Sequence, residues 1–354
     1  MRKLLIALLF IGCAGLAAAY ALYERAHAPF RGAGDAVLIA IPSGEGTNAI
    51  GRRLVAAGVI EDELTFRVAL WLSGSARRLQ AGEYRFDRQM SAVEAIDKIA
   101  RGEVDLVPLT FPEGLTIAEM SRVFEGAGFG TAASFLAAAG DPALVRALDP
   151  AAPDLEGYLF PDTYALPRRA EAARVVSAMV ARFEQVLTAD LLGAAKARGL
   201  SVRQLVTLAS LVEKETARPD ERAVVAAVYV NRLRVGMGLQ CDPTVIYALE
   251  RAGQFDGNLR RDDLAFDSPY NTYKYPGLPP GPIAAPGRGS LEAAARPASA
   301  PYLYFVSRND GSHEFARSLD EHNRNVRRFQ VQYFRERRTG RAGGPGTSGG
   351  PGRP

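Results

Sequence analysis

Two glutamates, Glu213 and Glu215, close the apolar run Leu208-Ala209-Ser210-Leu211-Val212 and are followed by Thr216. A carboxyl group emerging from a buried helix is penalised in its charged form. Its pKa rises, and it stays protonated near neutral pH, as a general acid must. An Arg218-Pro219-Asp220-Glu221 break follows, then a second helical segment, Ala223 to Leu233, that ends in Tyr229-Val230-Asn231-Arg232-Leu233. Periodicity leaves the choice of acid open. With Leu205, Leu208, Ala209 and Val212 facing inward, the two carboxylates stand about 200° apart and flank that stripe on opposite sides. Glu215 shares its side with Leu208 and Leu211; Glu213 shares its side with Val206 and Ser210. The plainer reading is that both are solvated charges at a helix end.

Other chemistries have few residues to work with. The 354-residue chain has 3 His (His27, His313, His322) and 2 Cys, of which Cys13 lies in an apolar N-terminal run. No HExxH, CxxC or Asp-rich loop occurs, so the sequence points to no metal and no cofactor, and His313 and His322 read as structural. The formal charge of +4 comes without a compact basic block ahead of the tail, which argues against a nucleic-acid partner. With 47% hydrophobic residues the chain can bury more than one core.

The elements that must position an acid follow from patterning. Arg2 and Lys3 precede an apolar run from Leu4 to Leu22, close to the roughly 20 residues a helix needs to span a bilayer. The flanking positive charges favour a cytoplasmic N-terminus. The rivals are a signal peptide cleaved near Ala17-Ala18-Ala19 and a lipoprotein site at Cys13. After a linker (residues 29–34), Ala36 to Pro42 reads as a strand, Asn48 to Val59 and Glu61 to Leu72 as helices, Gly82 to Phe86 as a strand, Ala92 to Ala100 as a helix and Val104 to Phe111 as a strand. This order resembles LysM-type glycan-binding modules; the alternative is a spacer. Thr116 with Glu119 three residues on reads as a capping box. Helices are expected over Thr131 to Leu148, Ala170 to Leu187, Ala189 to Arg198, Ser201 to Glu215, Ser290 to Ala295 and Ser318 to Arg337, with Tyr302 to Val306 a central strand.

The remaining stretches are rigid and irregular. Asp154 to Tyr164 is aromatic and Gly/Pro-punctuated, which suits a cleft wall. Gly236 to Pro301 is loop-rich, and long irregular segments in compact domains are commonly functional. Its Tyr and Asn residues suit sugars, with aromatic faces for ring faces and amides for hydroxyls. The candidate substrate-binding residues are Gln240, Asp242 and Thr244 on one wall, Tyr270, Asn271 and Tyr273 on the other, with Asn231 and Glu156. Asp242 could equally cap a helix from Thr244 to Leu249, Asn231 could be a satisfied core amide, and Glu156 favours a turn-bonding role.

Several of these words together resemble the endolytic murein transglycosylases of the MltG / YceG-like type. They are Leu155 to Tyr164, Ala209 to Thr216, Tyr229 to Leu233, Leu239 to Tyr247, Tyr270-Asn271-Thr272-Tyr273, Gly277 to Ile283, Tyr302 to Val306 and His322-Asn323. The resemblance covers about residues 111–326; Cys241, where Thr or Ser is more usual, and the Gly/Pro-rich tail depart from it. It implies a lyase that cuts the MurNAc–GlcNAc bond of peptidoglycan and leaves a 1,6-anhydroMurNAc end, terminating nascent strands. It also implies Glu215 as the acid/base, by the place that Glu215-Thr216 occupies, with Glu213 in support or paired with an Arg.

The expected architecture is α+β: a cytoplasmic tip (residues 1–3), a transmembrane anchor (4–23), a small LysM-like α/β subdomain (35–110), a mixed α+β catalytic domain with a lysozyme-like catalytic helix and long loops (111–337), and a disordered tail (338–354). The expected location is the inner (cytoplasmic) membrane, single-pass, with the catalytic domain periplasmic. The expected partners are glycan strands, the membrane and peptidoglycan synthases. The alternatives are a non-catalytic peptidoglycan-binding scaffold and a hydrolytic muramidase.

Overall fold

In the computed structural model, which describes residues 2–30 and 36–335, the N-terminal apolar run forms one helix, α1 (Arg2–His27). It is long and apolar enough to cross a bilayer, though a signal sequence meets the same criterion. The expected disordered tail, residue 35 and most of the linker lie outside the described residues.

The chain divides into two units, Met1–Pro108 with Ala165–Ala170, and Leu109–Tyr164 with Glu171–Pro354. In the first, β1 (Val37–Ile41) and β2 (Gly82–Phe86) pair antiparallel, Val37 opposite Phe86 and Ile41 opposite Gly82. Between them run α2 (Thr47–Ala56) and α3 (Glu63–Ser73). Ile39 and Ile41 alternate inward with Tyr84 and Phe86, and meet Ile50, Leu54 and Phe66 in one core. Asp62 caps α3 by accepting from Thr65 N (2.8 Å) and is also paired with Arg25 at the end of α1. A capping box of Ser91 and Glu94 starts α4 (Ala92–Ala100), whose Ile96 and Ile99 complete the core. The chain leaves this unit through β3 (Leu106–Thr110).

The second unit is mostly helical. Thr116 and Glu119 form the expected capping box at α5 (Ile117–Gly126). The single long helix expected after Thr131 is broken. α6 (Ala132–Ala139) stops at Gly140, and Pro142 starts a short 3-10 turn, because proline cannot supply the N–H that a continuing helix needs. The aromatic stretch is core rather than open wall at its centre, where Tyr158 and Leu159 are fully buried. Its end is regular, forming β4 (Thr163–Pro167), which pairs with β3. Then come α7 (Ala172–Val186), α8 (Ala189–Ala197), α9 (Val202–Glu215), α10 (Arg222–Arg234), α11 (Asp242–Arg251) and α12 (Arg288–Ala295). The strand expected to be central is instead half of a hairpin, β5 (Tyr304–Ser307) with β6 (His313–Ala316). The closing helix is α13 (Leu319–Val326), which widens into a π-helical turn over Arg327–Gln332.

With three two-stranded sheets and thirteen α-helices among the described residues, the protein is mixed α+β, and no sheet is large enough to organise its core. In the second unit that role falls to α9. Leu205 to Val212 are buried without exception, so the helix is enclosed on every side. The Pro-rich loop lies directly on it, with Ile283 N donating to Ser210 Oγ (3.1 Å). Gly157 makes this approach possible. Its φ is +81°, and a Cβ there would sit 2.4 Å from Pro282 and 3.0 Å from Val206.

Gly157→Ala is therefore expected to destabilise the protein by about 2 kcal/mol or more, from left-handed strain plus overpacking. Gly193→Ala, on α8 with open space at its Cβ, should be neutral or stabilising. Urea midpoints of the two variants check this; a Gly157→Ala midpoint at the wild-type value would contradict it.

Candidate functional site

Glu215 is the last residue of α9, and its place depends on what the neighbouring elements bring to it. Tyr229, on α10 and 1% exposed, donates its hydroxyl to Glu215 Oε1 at 2.8 Å. The Cys241 thiol, also buried, hydrogen-bonds the same carboxyl group. Burial drives the Glu215 pKa above its ordinary 4.5; the bonds from Cys241 and Tyr229 pull it down but do not win, and the charge of Asp242 adds to the rise. Burial also pushes the Cys241 thiol well up, so it stays neutral.

The carboxyl group is not sealed in. Glu215 retains some exposure and opens into a pocket of about 250 Å³, whose lining includes Gln240, Asp242, Tyr273 and His322. Asp242 and Tyr273 are joined across it, the tyrosine hydroxyl donating to Asp242 Oδ1 at 2.5 Å. Gln240 holds a left-handed backbone, φ 49°, where the chain turns into α11. Arg232 lies three residues after Tyr229, so both fall on one face of α10. It is nearly buried, and its guanidinium donates to Leu303 O (2.7 Å) and Leu239 O (2.5 Å), holding two walls together. His322 stacks on Tyr304 at 5.2 Å. Burial and the Arg232 charge lower its pKa, keeping it neutral, and its Nδ1 has no protein partner among the described residues.

Glu213 is held differently. It accepts from Gly287 N (2.9 Å) and pairs with Arg222 (3.4 Å), which also reaches Glu113 (3.2 Å). Its oxygens are committed to a backbone amide and a guanidinium, and it does not line the pocket. The two carboxyl groups thus differ in what surrounds them: an ion pair and an amide for one, hydroxyl and thiol donors for the other.

The other candidate residues lie behind the pocket walls. Thr244 is fully buried and donates to Cys241 O (2.6 Å) at the start of α11. Asp242 is the first residue of that helix and Cys241 its cap position, so the reading of Asp242 as the cap is displaced by one residue. Asn271, also buried, donates to Leu264 O (3.0 Å) and Phe266 O (2.8 Å) and clamps its own loop. Tyr270 packs on Tyr247, ring centres 5.0 Å apart. Asn231 donates to Ala300 O (2.8 Å) and Tyr302 O (2.9 Å). Glu156 accepts from Ile117 N (3.1 Å) at the start of α5 and from the Tyr247 hydroxyl (3.3 Å). Burial nonetheless pushes its pKa up to about 8, so it is largely neutral at pH 7.

Tyr229, Arg232 and His322 were not singled out as site residues from the sequence. The i, i+3 spacing of the first two was visible, but nothing local showed which face of α10 meets α9.

Among known proteins, the YceG-like family model matches residues 39–328. A protein of Bacillus subtilis (strain 168) named endolytic murein transglycosylase is 33% identical over 307 residues, 81% of this chain and 83% of that protein. A protein of the same name from Streptococcus pneumoniae serotype 2 (strain D39 / NCTC 7466) is 32% identical over 321 residues; the match covers 82% of this chain and 58% of that longer relative. The crystal structure of a yceG-like protein from Listeria monocytogenes superposes with a TM-score of 0.56 at 31% identity, covering 82% of this chain and 99% of that one. The extent of the family match and of the Bacillus relative leads to one conclusion: the chain belongs to the YceG-like family.

Proposed function

We propose that the protein is a membrane-anchored endolytic lytic transglycosylase of peptidoglycan, with Glu215 as its acid and base. The observation that carries the reading is a desolvated carboxyl group with a raised pKa at the mouth of a polar pocket, in a family whose named relatives are murein transglycosylases. Protonated Glu215 gives its proton to the glycosidic oxygen as the bond to MurNAc C1 breaks and positive charge develops at C1. The sugar's own C6 oxygen then bonds to C1, and its proton passes to the Glu215 carboxylate. The products are a 1,6-anhydroMurNAc end, a free GlcNAc hydroxyl and a reprotonated enzyme. One carboxyl group suffices, without water or metal.

In this reading Gln240, Asp242 and Tyr273 contact sugar hydroxyls. Glu156, Asn231, Thr244, Tyr270 and Asn271 hold the loops that present them. α9 is the counterpart of a lysozyme-like catalytic helix, and the strand–helix–helix–strand order of the first unit is a LysM-like glycan-binding subdomain. α1 anchors the protein in the inner membrane with the catalytic domain in the periplasm, where it meets nascent strands and the synthases that make them. A second reading follows from Asp242, a further carboxylate in the same pocket. A hydrolytic muramidase would use it to activate water.

The product separates these readings. Wild-type protein incubated with nascent glycan should release anhydro-muropeptides, identified by mass; reducing-end MurNAc would favour the muramidase, and no cleavage would remove both. Glu215→Gln should abolish product while folding normally. Glu213→Gln should keep product formation but lower the stability by about 1–3 kcal/mol, because Arg222 loses its buried partner. Loss of product from a folded Glu213→Gln with an active Glu215→Gln would reverse the assignment.

The pH dependence has a worked sign. Glu215 acts first in its protonated form, so the rate falls as pH rises through its pKa. Tyr229→Phe removes a bond that favours the carboxylate, which raises that pKa and moves the alkaline limb to higher pH. Asp242→Asn removes a neighbouring negative charge and moves the limb to lower pH. pH–rate profiles in which both variants shift the same way would contradict the electrostatic account.

A further inference from the structure

We propose that a second cavity, at the C-terminal ends of α8 and α10, is a subsite for the carboxylates of the peptide stems that the glycan strand carries. This rests on the peptidoglycan reading above. The cavity measures about 530 Å³ and shares no lining residue with the Glu215 pocket. Arg198 and Arg234 both face it, and neither has an ion pair or side-chain hydrogen bond among the described residues. Asp190, at the other end of α8, is paired with Arg296 at 2.8 Å.

Both arginines are exposed, and the cavity they line holds no carboxylate, so an anion entering it meets two cations and no competing negative charge. Each also sits at a helix C-terminus, which favours a cation there, but that effect falls off within the last turn. The rest of the lining sets the ligand's character. Ala227, Val230, Pro297 and Pro301 offer methyl and pyrrolidine surfaces, and no aromatic ring lines the cavity. Such walls provide no platform for a sugar face, and they suit short alkyl side chains. Arginine forks bind planar carboxylates through paired bonds. A small-side-chain peptide ending in a carboxylate, as the alanine-rich stems of peptidoglycan are, satisfies both halves of the site.

The subsite is also placed to act with the first pocket. The segment leading into β5 is gripped from the cavity side by Asn231, at Ala300 O and Tyr302 O, and from the pocket side by Arg232, at Leu303 O. A stem bound in the cavity rests against the strap that continues to Phe305, a wall of the Glu215 pocket.

The test uses the full chain and two substrates, uncrosslinked strands that bear stems and the same strands stripped by an amidase. The double variant Arg198→Gln/Arg234→Gln should lose about tenfold in kcat/KM on stem-bearing strands and nothing on stripped ones. Equal loss on both, or none on either, overturns the proposal. A binding measurement stands apart from catalysis: N-acetyl-D-alanyl-D-alanine followed by saturation-transfer NMR, with equimolar inorganic phosphate as competitor. Contact seen with wild type and lost in the double variant supports the subsite even if no strand is cut, a result that would fail only the transglycosylase reading. Contact unchanged in the variant, or displaced by phosphate, overturns it.

Discussion

Withdrawing one carboxyl group from water is the constraint on which the rest of the second unit depends. A helix buried on all sides must end somewhere, and α9 ends at Glu215. Every neighbour of that end reflects the cost of placing a carboxyl group there. Tyr229 and Cys241 supply bonds that a charged or neutral carboxyl group can accept, while no guanidinium or ammonium among the described residues pairs with it. Had Arg232 turned its fork towards Glu215, the pKa would fall and the acid would be lost; its bonds to Leu303 and Leu239 hold it away.

Glu213 is surrounded differently half a turn away. Arg222 and the Gly287 amide partner its oxygens, and its place is in the scaffold that joins α9, α10 and the start of α12. The same residue type, two positions apart on one helix, meets different partners because of what the rest of the chain delivers. The glycine at 157 and the Pro-rich loop belong to the same arrangement, since they close the other side of α9 and leave its acidic end as the exposed feature.

This also explains what was legible in the sequence. The apolar run of α9, the capping box of α5 and the N-terminal apolar helix are local signals and could be read directly. The different surroundings of Glu215 and Glu213 could not, because Tyr229 and Cys241 reach the helix end only through tertiary packing. The amides of Asn231 and Asn271, expected at the sugar, donate to loop carbonyls, since an amide suited to a hydroxyl is equally suited to a backbone carbonyl. The broken helix after Thr131 and the hairpin at Tyr304 show the usual limit of periodicity, since Gly140, Pro142 and pairing with His313 decided those elements.

The central claim is that burial at the end of α9 holds the Glu215 carboxyl above its ordinary titration range. Carbon-13 NMR titration of the Glu side-chain carboxyls, with Glu215 assigned by its loss in Glu215→Gln, reads this without any substrate. The account predicts that the Glu215 resonance titrates above the ordinary value of 4.5. A Glu215 titration at or below that value would contradict it.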